Sequence, residues 1–309
     1  MRAVWDAFVR ESRCATFLFM RDYMDYHADR FTDCSWMAYK GNRLMALLPA
    51  NITTTKSGTS TLHSHQGLTY GGWLLPQAHL DGADLIELWQ RALEVWKERG
   101  VSALDYKPLP GIYCAQPSEE DRYALFRLGA RLTECNLSEA VNLQAPWRFN
   151  TLQRRHLAKA SKLDYDFIEL GPSEVGAYMT MLSDCLAERH GASPVHSAAE
   201  LTMLMDRFPE NIRIFAVGHE GALHAGVCVY DTGRVAHAQY IATTPRGREL
   251  NLLTPLFHRL MTDTYAERAY FDFGISNEDS GRYLNEGLLR QKFSYGATGV
   301  AYTRWLLSF

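Results

Sequence analysis

One run of elements occurs twice in this chain, and that repetition constrains the fold more than any single motif. In CSWMAYKGNRLMALLPANI (34–52) an apolar strand, a turn at Lys40-Gly41-Asn42 and a second strand follow one another. NIRIFAVGHEGALHAGVCVYD (211–231) repeats the pattern around Gly221. GLTYGGWLLP (67–76) matches HAQYIATTP (237–245), each a strand holding a tyrosine and ending at a proline. The helical period of 84–99 matches that of 250–267. VSALDYKPLP matches RAYFDFGIS, with Asp105 opposite Asp272, and a helix followed by strands closes each copy, at 122–143 and 286–309. Each copy predicts a mixed sheet flanked by helices. The expected fold class is therefore α+β with mixed sheets, as two tandem domains. Pro146 to Asn150 reads as the boundary, giving an N-terminal domain at 1–146 and a C-terminal domain at 147–309. A chain of 309 residues is long enough for both.

Between the paired blocks, apolar spacing predicts an amphipathic helix over 14–31, with a Thr/Ser/Gly-rich loop or hairpin tip at 51–61. A strand is expected near Leu68–Tyr70, and two strands within 132–143. In the second half a basic helix runs over 151–163, with Arg154, Arg155, Lys159 and Lys162, followed by helices at 173–190 and 198–208, the latter with Ser197 as N-cap.

Several classes are disfavoured. Net charge is −3, so the strongly basic footprint of a dedicated nucleic-acid binder is absent and no DNA partner is expected. The six cysteines include no CxxC pair and read as reduced thiols in the cytoplasm. Asp6 and Glu11 interrupt the N-terminal apolar pattern, which is not that of a signal peptide. No apolar run approaches the roughly 20 residues of a membrane span. Neither a Gly-x-Ser-x-Gly elbow nor a P-loop occurs. His63 and His65 share a strand face, but two histidines without a third ligand do not make a metal site, and none is expected.

The order of elements resembles the GNAT acyltransferase unit. Two such units in tandem, with a basic helix opening the second, resemble the FemAB-like group of peptidyl- and acyltransferases. The residues that carry the resemblance are LQRRHLAKASKL (152–163), RHGASPVHS (189–197), FDFGIS (271–276) and LNEGLLRQKFSYGA (284–297). The resemblance implies two GNAT-like domains and transfer of an acyl or aminoacyl group to an amine or hydroxyl. The acceptor would be a small molecule or a cell-envelope precursor. The donor would be an acyl-CoA cosubstrate, or alternatively an aminoacyl-tRNA; a third reading is a catalytically inactive double-GNAT binding protein. A GNAT coenzyme loop usually reads Arg/Gln-x-x-Gly-x-Gly/Ala and cradles the pyrophosphate on backbone N–H groups at a helix N-terminus. Here the counterpart is TTPRGRELNLLTPLF, so Arg246, Gly247 and Arg248 are the cofactor-binding candidates. The second glycine is missing, Glu249 is unfavourable beside an anion, and Pro255 falls inside the helix pattern.

Acyl transfer needs a base for the nucleophile and a proton or charge for the oxygen or sulfur that leaves. Strand 270–273 ends in a glycine-marked polar loop, where α/β proteins tend to place ligands. Glu278 is the candidate base there, Lys292 the candidate counter-charge, and Tyr240 the candidate donor to a leaving group. Ser276, Asn277 and Asn285, with Tyr70 and His65 of the first half, are substrate-binding candidates. Each has a structural alternative: helix capping for the 277–280 run, a solvated lysine, a core tyrosine, a turn asparagine. Asp272, set among aromatic residues, must be bonded or paired, with Lys292 as a candidate partner. The first-half counterpart LDYKPLPGIY lacks the polar run, so the working site is expected at 274–292.

Overall fold

Alternating apolar residues, turn glycines and capped helices settle into mixed β-sheet with helices packed on it, in a computed structural model that describes residues 1–78 and 80–309. The side chains of Arg189 and His190 lie outside the described residues, and with them part of the 189–197 resemblance and His190 itself. In chain order the elements are α1 (Arg2–Glu11), α2 (Arg21–Met24), β1 (Trp36–Lys40), β2 (Arg43–Leu48), β3 (Asn51–Thr54), β4 (Ser60–His63), α3 (Gly82–Glu98), β5 (Val101–Tyr106), α4 (Glu120–Arg127) and β6 (Arg131–Asn142). Then follow α5 (Thr151–Ala160), β7 (Asp166–Leu170), α6 (Val175–His190), α7 (Ala198–Arg207), β8 (Ile212–His219), β9 (Ala222–Asp231), β10 (Val235–Thr243), α8 (Pro245–Leu250), α9 (Leu253–Arg259), β11 (Tyr270–Ile275), β12 (Asn277–Glu278), β13 (Tyr283–Leu284), α10 (Glu286–Ser294) and β14 (Thr298–Ser308).

Two compact units result. The first holds Met1–Leu137, Asn277–Leu284 and Val300–Phe309; the second holds Ser138–Ser276 and Asn285–Gly299. In the first, strands lie in the order β3-β4-β5-β14-β6, with β1 and β2 forming a separate hairpin. In the second the order is β6-β11-β10-β9-β8-β7. Each unit contains a parallel neighbour pair, β4/β5 and β10/β11, joined through helices as a parallel crossover requires.

The repeat is present as mixed sheets with helices, with one element shifted. The strand equivalent to β10 is β4, the short polar segment Ser60–His63, and not a strand at Leu68–Tyr70. Residues 67–76 make only isolated bridges, Ser12 with Pro76, Leu47 with Leu74 and Gly71 with Pro108. The chain there is pressed against β5: a Cβ on Gly72 would stand 2.6 Å from the Tyr106 hydroxyl, and its φ of +93° suits glycine. In the aligned parallel pairs, His63 lies opposite Asp105 and His237 opposite Asp272.

Three helical or strand expectations change. Segment 14–31 is a chain of short turns rather than one helix. Met20 is extended, and Asp6 Oδ1 takes the Arg21 N–H at 2.9 Å, ending one turn and starting the next. Residues 132–143 form the single long strand β6, and 298–308 the single strand β14. The 250–267 helix breaks at Asn251, which is left-handed at φ 59°, and restarts as α9 with Pro255 in its first turn, where no N–H is needed.

α9 brings Phe257 onto the second unit's sheet. Its ring meets Phe273 at 5.0 Å and Tyr295 at 5.2 Å, while Tyr295 stacks on Phe273 at 5.6 Å. Phe257 is 1% exposed, so Phe257→Ala should lower the unfolding free energy by about 3–5 kcal/mol. Urea titration should show this as a shift in midpoint at constant slope. A loss below about 1 kcal/mol would mean that this cluster does not hold the unit together.

Candidate active site

The two parallel strands of the second unit separate as they leave the core. β10 and β11 pair only over Val235–His237 and Tyr270–Asp272. Beyond that, β10 carries a register irregularity between Ala238 and Tyr240, and β11 turns at Gly274, whose φ is +77°. Asp272 Oδ1 fixes the turn by accepting the Gly274 N–H at 2.9 Å. The gap holds a cavity of about 280 Å³ bordered by Tyr240, Ile241, Phe273, Ile275 and Lys292. Diverging strands leave backbone groups without ladder partners, and such groups seek hydrogen bonds from whatever enters.

Lys292 sits on α10 at one wall. Its ammonium donates to the carbonyls of Gly274 and Ile275, each at 2.7 Å, and stands 3.7 Å from Glu139 Oε2. Burial pulls its pKa down to about 8, against the opposing pull of Glu139 and, more weakly, Asp272. Burial in turn raises the Glu139 pKa, which the Ser276 hydroxyl, donating at 2.5 Å, and Lys292 oppose. Glu139 is thus the carboxylate set directly against Lys292, in place of the expected Asp272. Asp272 is fully buried and accepts from Ser138 Oγ at 2.6 Å, with His237 Nδ1 at 3.3 Å. Neither Glu139 nor His237 stood out in the sequence. The available signals were a lone glutamate in the apolar run SEAVN and a histidine alternating with Tyr240's neighbours toward a buried aspartate.

On the other wall, the Tyr240 hydroxyl meets His196 Nδ1 at 2.6 Å, and Tyr178 donates to the Tyr240 carbonyl at 3.0 Å. His196 is buried just ahead of Ser197, whose hydroxyl caps α7. No carboxylate or imidazole borders the cavity directly among the described residues; Tyr240 lines it, with His196 behind its hydroxyl.

The other anticipated residues are placed as follows. Ser276 is buried on Glu139, within the second unit. Glu278 is exposed on β12 in the first unit, away from the cavity lining. Asn277 Oδ1 accepts the Leu137 N–H at 2.5 Å, and Asn285 caps α10 by accepting from Leu288 N at 3.0 Å. Tyr70 is 3% exposed against Tyr113, at 4.9 Å between ring centroids. His65 is 3% exposed and stacked on His27; burial pulls its pKa down to about 3, so it stays neutral. Of the expected set, Tyr240 and Lys292 border the cavity.

The anion cradle does not form around Arg246, Gly247 and Arg248. Arg246 pairs with Glu249 at 2.8 Å, and Arg248 with both oxygens of Glu188, at 2.8 and 2.9 Å. The Gly247 N–H is taken by the Thr244 cap at 3.0 Å. Glycine is required there by packing: a Cβ would stand 2.1 Å from the His224 carbonyl oxygen. These residues do not fit a coenzyme pyrophosphate. A different cationic surface does exist. Arg148, Arg154, Arg155, Lys159 and Lys162 are exposed with no carboxylate in ion-pair range among the described residues. Arg148 and Arg154 border a groove of about 730 Å³ with Trp147 and Phe293, the latter 65% exposed.

Residues 151–283 match the acetyltransferase (GNAT) domain family. No curated protein matches the sequence. Among solved structures, FemX superposes with a TM-score of 0.75 at 11% identity, over 100% of this chain and 96% of its own. The C-terminal domain of a protein described as a lysylphosphatidylglycerol synthetase, from Agrobacterium fabrum, gives 0.57 at 13% identity, over 100% and 92%. A tandem GNAT protein from the clavulanic acid biosynthesis pathway gives 0.52 at 14%, over 99% and 94%. The shared property is the fold.

Removing the Lys292 side chain leaves Glu139 buried without its counter-charge, so Lys292→Ala should destabilise by about 3–5 kcal/mol as well as alter the cavity. The pH dependence gives an independent check. A lysine whose folded pKa is depressed contributes stability that is present above its unfolded value of 10.5 and lost as pH falls through about 8. Wild-type stability should therefore gain about 1.4 kcal/mol per pH unit from this group across that window. Urea unfolding of Lys292→Met should lack that gain; equal slopes for the two proteins would overturn the assignment.

Proposed function

We propose, from the premise that this chain is a tandem GNAT-fold acyltransferase with its GNAT domain at residues 151–283, that it moves an aminoacyl group from a tRNA to an amine or hydroxyl of a cell-envelope precursor. The observation that carries the choice of donor is the contrast between the two cationic regions. The arginines of the coenzyme position are spent on Glu249 and Glu188, whereas five cations around α5 have no carboxylate in range among the described residues. Cations interleaved with half-buried Trp147 and exposed Phe293 suit a polyanion whose terminal bases stack on aromatic rings. The names FemX and lysylphosphatidylglycerol synthetase, borne by fold neighbours, fit aminoacyl transfer to an envelope precursor. Six free cysteines suit the reducing cytoplasm, where such a donor is found, and no helix among the described residues is long and apolar enough to cross a membrane.

In this reading the acceptor's nucleophile attacks the ester carbonyl of the aminoacyl group held between β10 and β11. The Tyr240 hydroxyl, backed by His196, gives its proton to the departing ribose oxygen and regains one from the attacking amine or hydroxyl, and Lys292 places a positive charge beside the developing oxyanion. With its pKa near 8 Lys292 is largely charged at neutral pH. A second reading, an acyl-CoA donor, is favoured by the strand divergence itself, which offers backbone partners to a slim amide-bearing arm.

Fluorescence anisotropy with bulk tRNA should give a binding constant that falls linearly in log salt. Arg154→Ala/Arg155→Ala should reduce the slope by about 1–2, and Phe293→Ala should weaken binding by about 1–3 kcal/mol. In single-turnover transfer, Tyr240→Phe should slow the chemical step by about 100-fold with tRNA affinity unchanged. Salt-insensitive binding, together with a rise in melting temperature on adding coenzyme A, would replace this donor with the second one.

A further inference from the structure

The first unit contains a hydroxyl–imidazole–carboxylate chain that the proposed transfer reaction does not use. Thr53 on β3, His63 on β4, Asp105 on β5 and Arg304 on β14 stand on four successive strands of one sheet. The Thr53 hydroxyl lies 2.8 Å from His63 Nε2, and His63 Nδ1 lies 2.9 Å from Asp105 Oδ2. The Arg304 Nε donates to the other Asp105 oxygen at 2.7 Å, and its terminal nitrogen to the first.

The roles follow from what each group can do. Although burial works the other way, Arg304 and His63 hold the Asp105 carboxyl well below the usual carboxylate range, so it only accepts. In the neutral ring the proton therefore sits on His63 Nδ1, and Nε2 presents its lone pair to Thr53, whose hydroxyl donates. That is the arrangement by which a base activates a hydroxyl nucleophile while a carboxylate fixes the ring's tautomer. Access is graded to match. Thr53 is exposed on the edge strand, while the His63 and Asp105 side chains are 11% and 13% exposed. The adjacent Thr54–Ser60 hydroxyl pair, 2.9 Å apart, bonds hydroxyl to hydroxyl. The His–Asp half of the chain has a counterpart in the second unit, at His237 and Asp272, so the fold itself supplies that pairing. The exposed hydroxyl on the imidazole's far nitrogen is what turns it into a reactive chain.

We propose that Thr53, His63 and Asp105 form a second, esterase-type site that takes acyl groups from small activated esters or thioesters. Thr53 Oγ1 bonds to the acyl carbon while its proton passes to His63 Nε2. The bond to the leaving alkoxide or thiolate breaks, and that group leaves with the proton, giving acyl-Thr53 and an alcohol or thiol. Water, deprotonated by His63, then attacks the ester; Thr53 recovers its proton and the carboxylic acid departs. The sum is one ester or thioester and one water giving one acid and one alcohol or thiol. Thr53 and His63 are the catalytic residues and Asp105 is a positioning residue.

A fluorophosphonate probe tests this on the full chain. Attack by Thr53 forms an O–P bond and expels fluoride, and the adduct persists for peptide mapping by mass spectrometry. Wild type and Thr53→Ser should each carry one adduct, at position 53, and Thr53→Ala none there. His63→Asn should slow labelling at least 100-fold, with far-UV circular dichroism unchanged. Hydrolysis of p-nitrophenyl acetate should fall in parallel across the same variants. Absence of an adduct at position 53 in the wild type, or labelling as fast in His63→Asn as in wild type, would overturn the proposal. Label at other positions only would do the same.

Discussion

The buried ammonium of Lys292 is the contact on which the cavity's shape depends. It joins three pieces of chain that are far apart in sequence: α10, the carbonyls at the end of β11, and Glu139 on β6. Bringing a charge to 4% exposure costs several kcal/mol unless its hydrogens are satisfied, and here two carbonyls and a carboxylate meet them. The carbonyls of Gly274 and Ile275 face the lysine just where β11 leaves its pairing with β10, after Asp272. The opening beside Tyr240 therefore lies where one charge is stored.

The two units differ by what happens just past a shared feature. Both place a histidine opposite an aspartate across their parallel strand pair. In the first unit β4 ends at that histidine, so there is no further strand to diverge. In the second, β10 continues for six residues past His237, carrying Tyr240 and Ile241 along the open edge. The pair is common to both units, and strand length separates them: only β10 runs on past it along the cavity. Where β4 stops, the pair instead faces an edge strand with a hydroxyl, so the same two residue types serve different surroundings.

The fold's outline was legible because its signals are local. Period-2 strands, the Gly41 and Gly221 turns and the helical face of 82–98 need no distant partner to be recognised. The misreadings came where tertiary contacts overrule local pattern. β4 is four residues of Ser, Thr, Leu and His, too short and polar to read as a strand, and it exists because β3 and β5 pair with it on both sides. Segment 14–31 has helical spacing, yet Trp5 takes the Phe19 carbonyl at 2.8 Å and Asp6 takes the Arg21 N–H, so the chain turns instead. At the site, Lys292 and Tyr240 could be read, since each stands beside a strand end. Glu139 could not, because its partner lies 153 positions further along the chain at Lys292. The polar run at 277–285 attracted attention for its composition, but its asparagines are caps and turn bonds, a use that composition does not distinguish from catalysis.

Charge distribution carries the remaining part of the donor question. A net charge of −3 argues against general affinity for nucleic acid, and it averages over two unlike surfaces. Arg246 and Arg248 lie in acidic company, and an anion arriving there must first displace a carboxylate already bonded at close to 2.8 Å. The α5 cations face no carboxylate among the described residues, and releasing their counterions favours a polyanion over a single pyrophosphate. α5 keeps this face free because its inner side, Gln153 and Ala160, is fully engaged. Gln153 bridges Ser294 Oγ and Thr254 Oγ1 at 2.9 and 2.7 Å, which docks the helix on α10 and α9 without using a single cation. The helix is anchored by neutral hydrogen bonds and a small residue, and all of its charge is left for the solvent side.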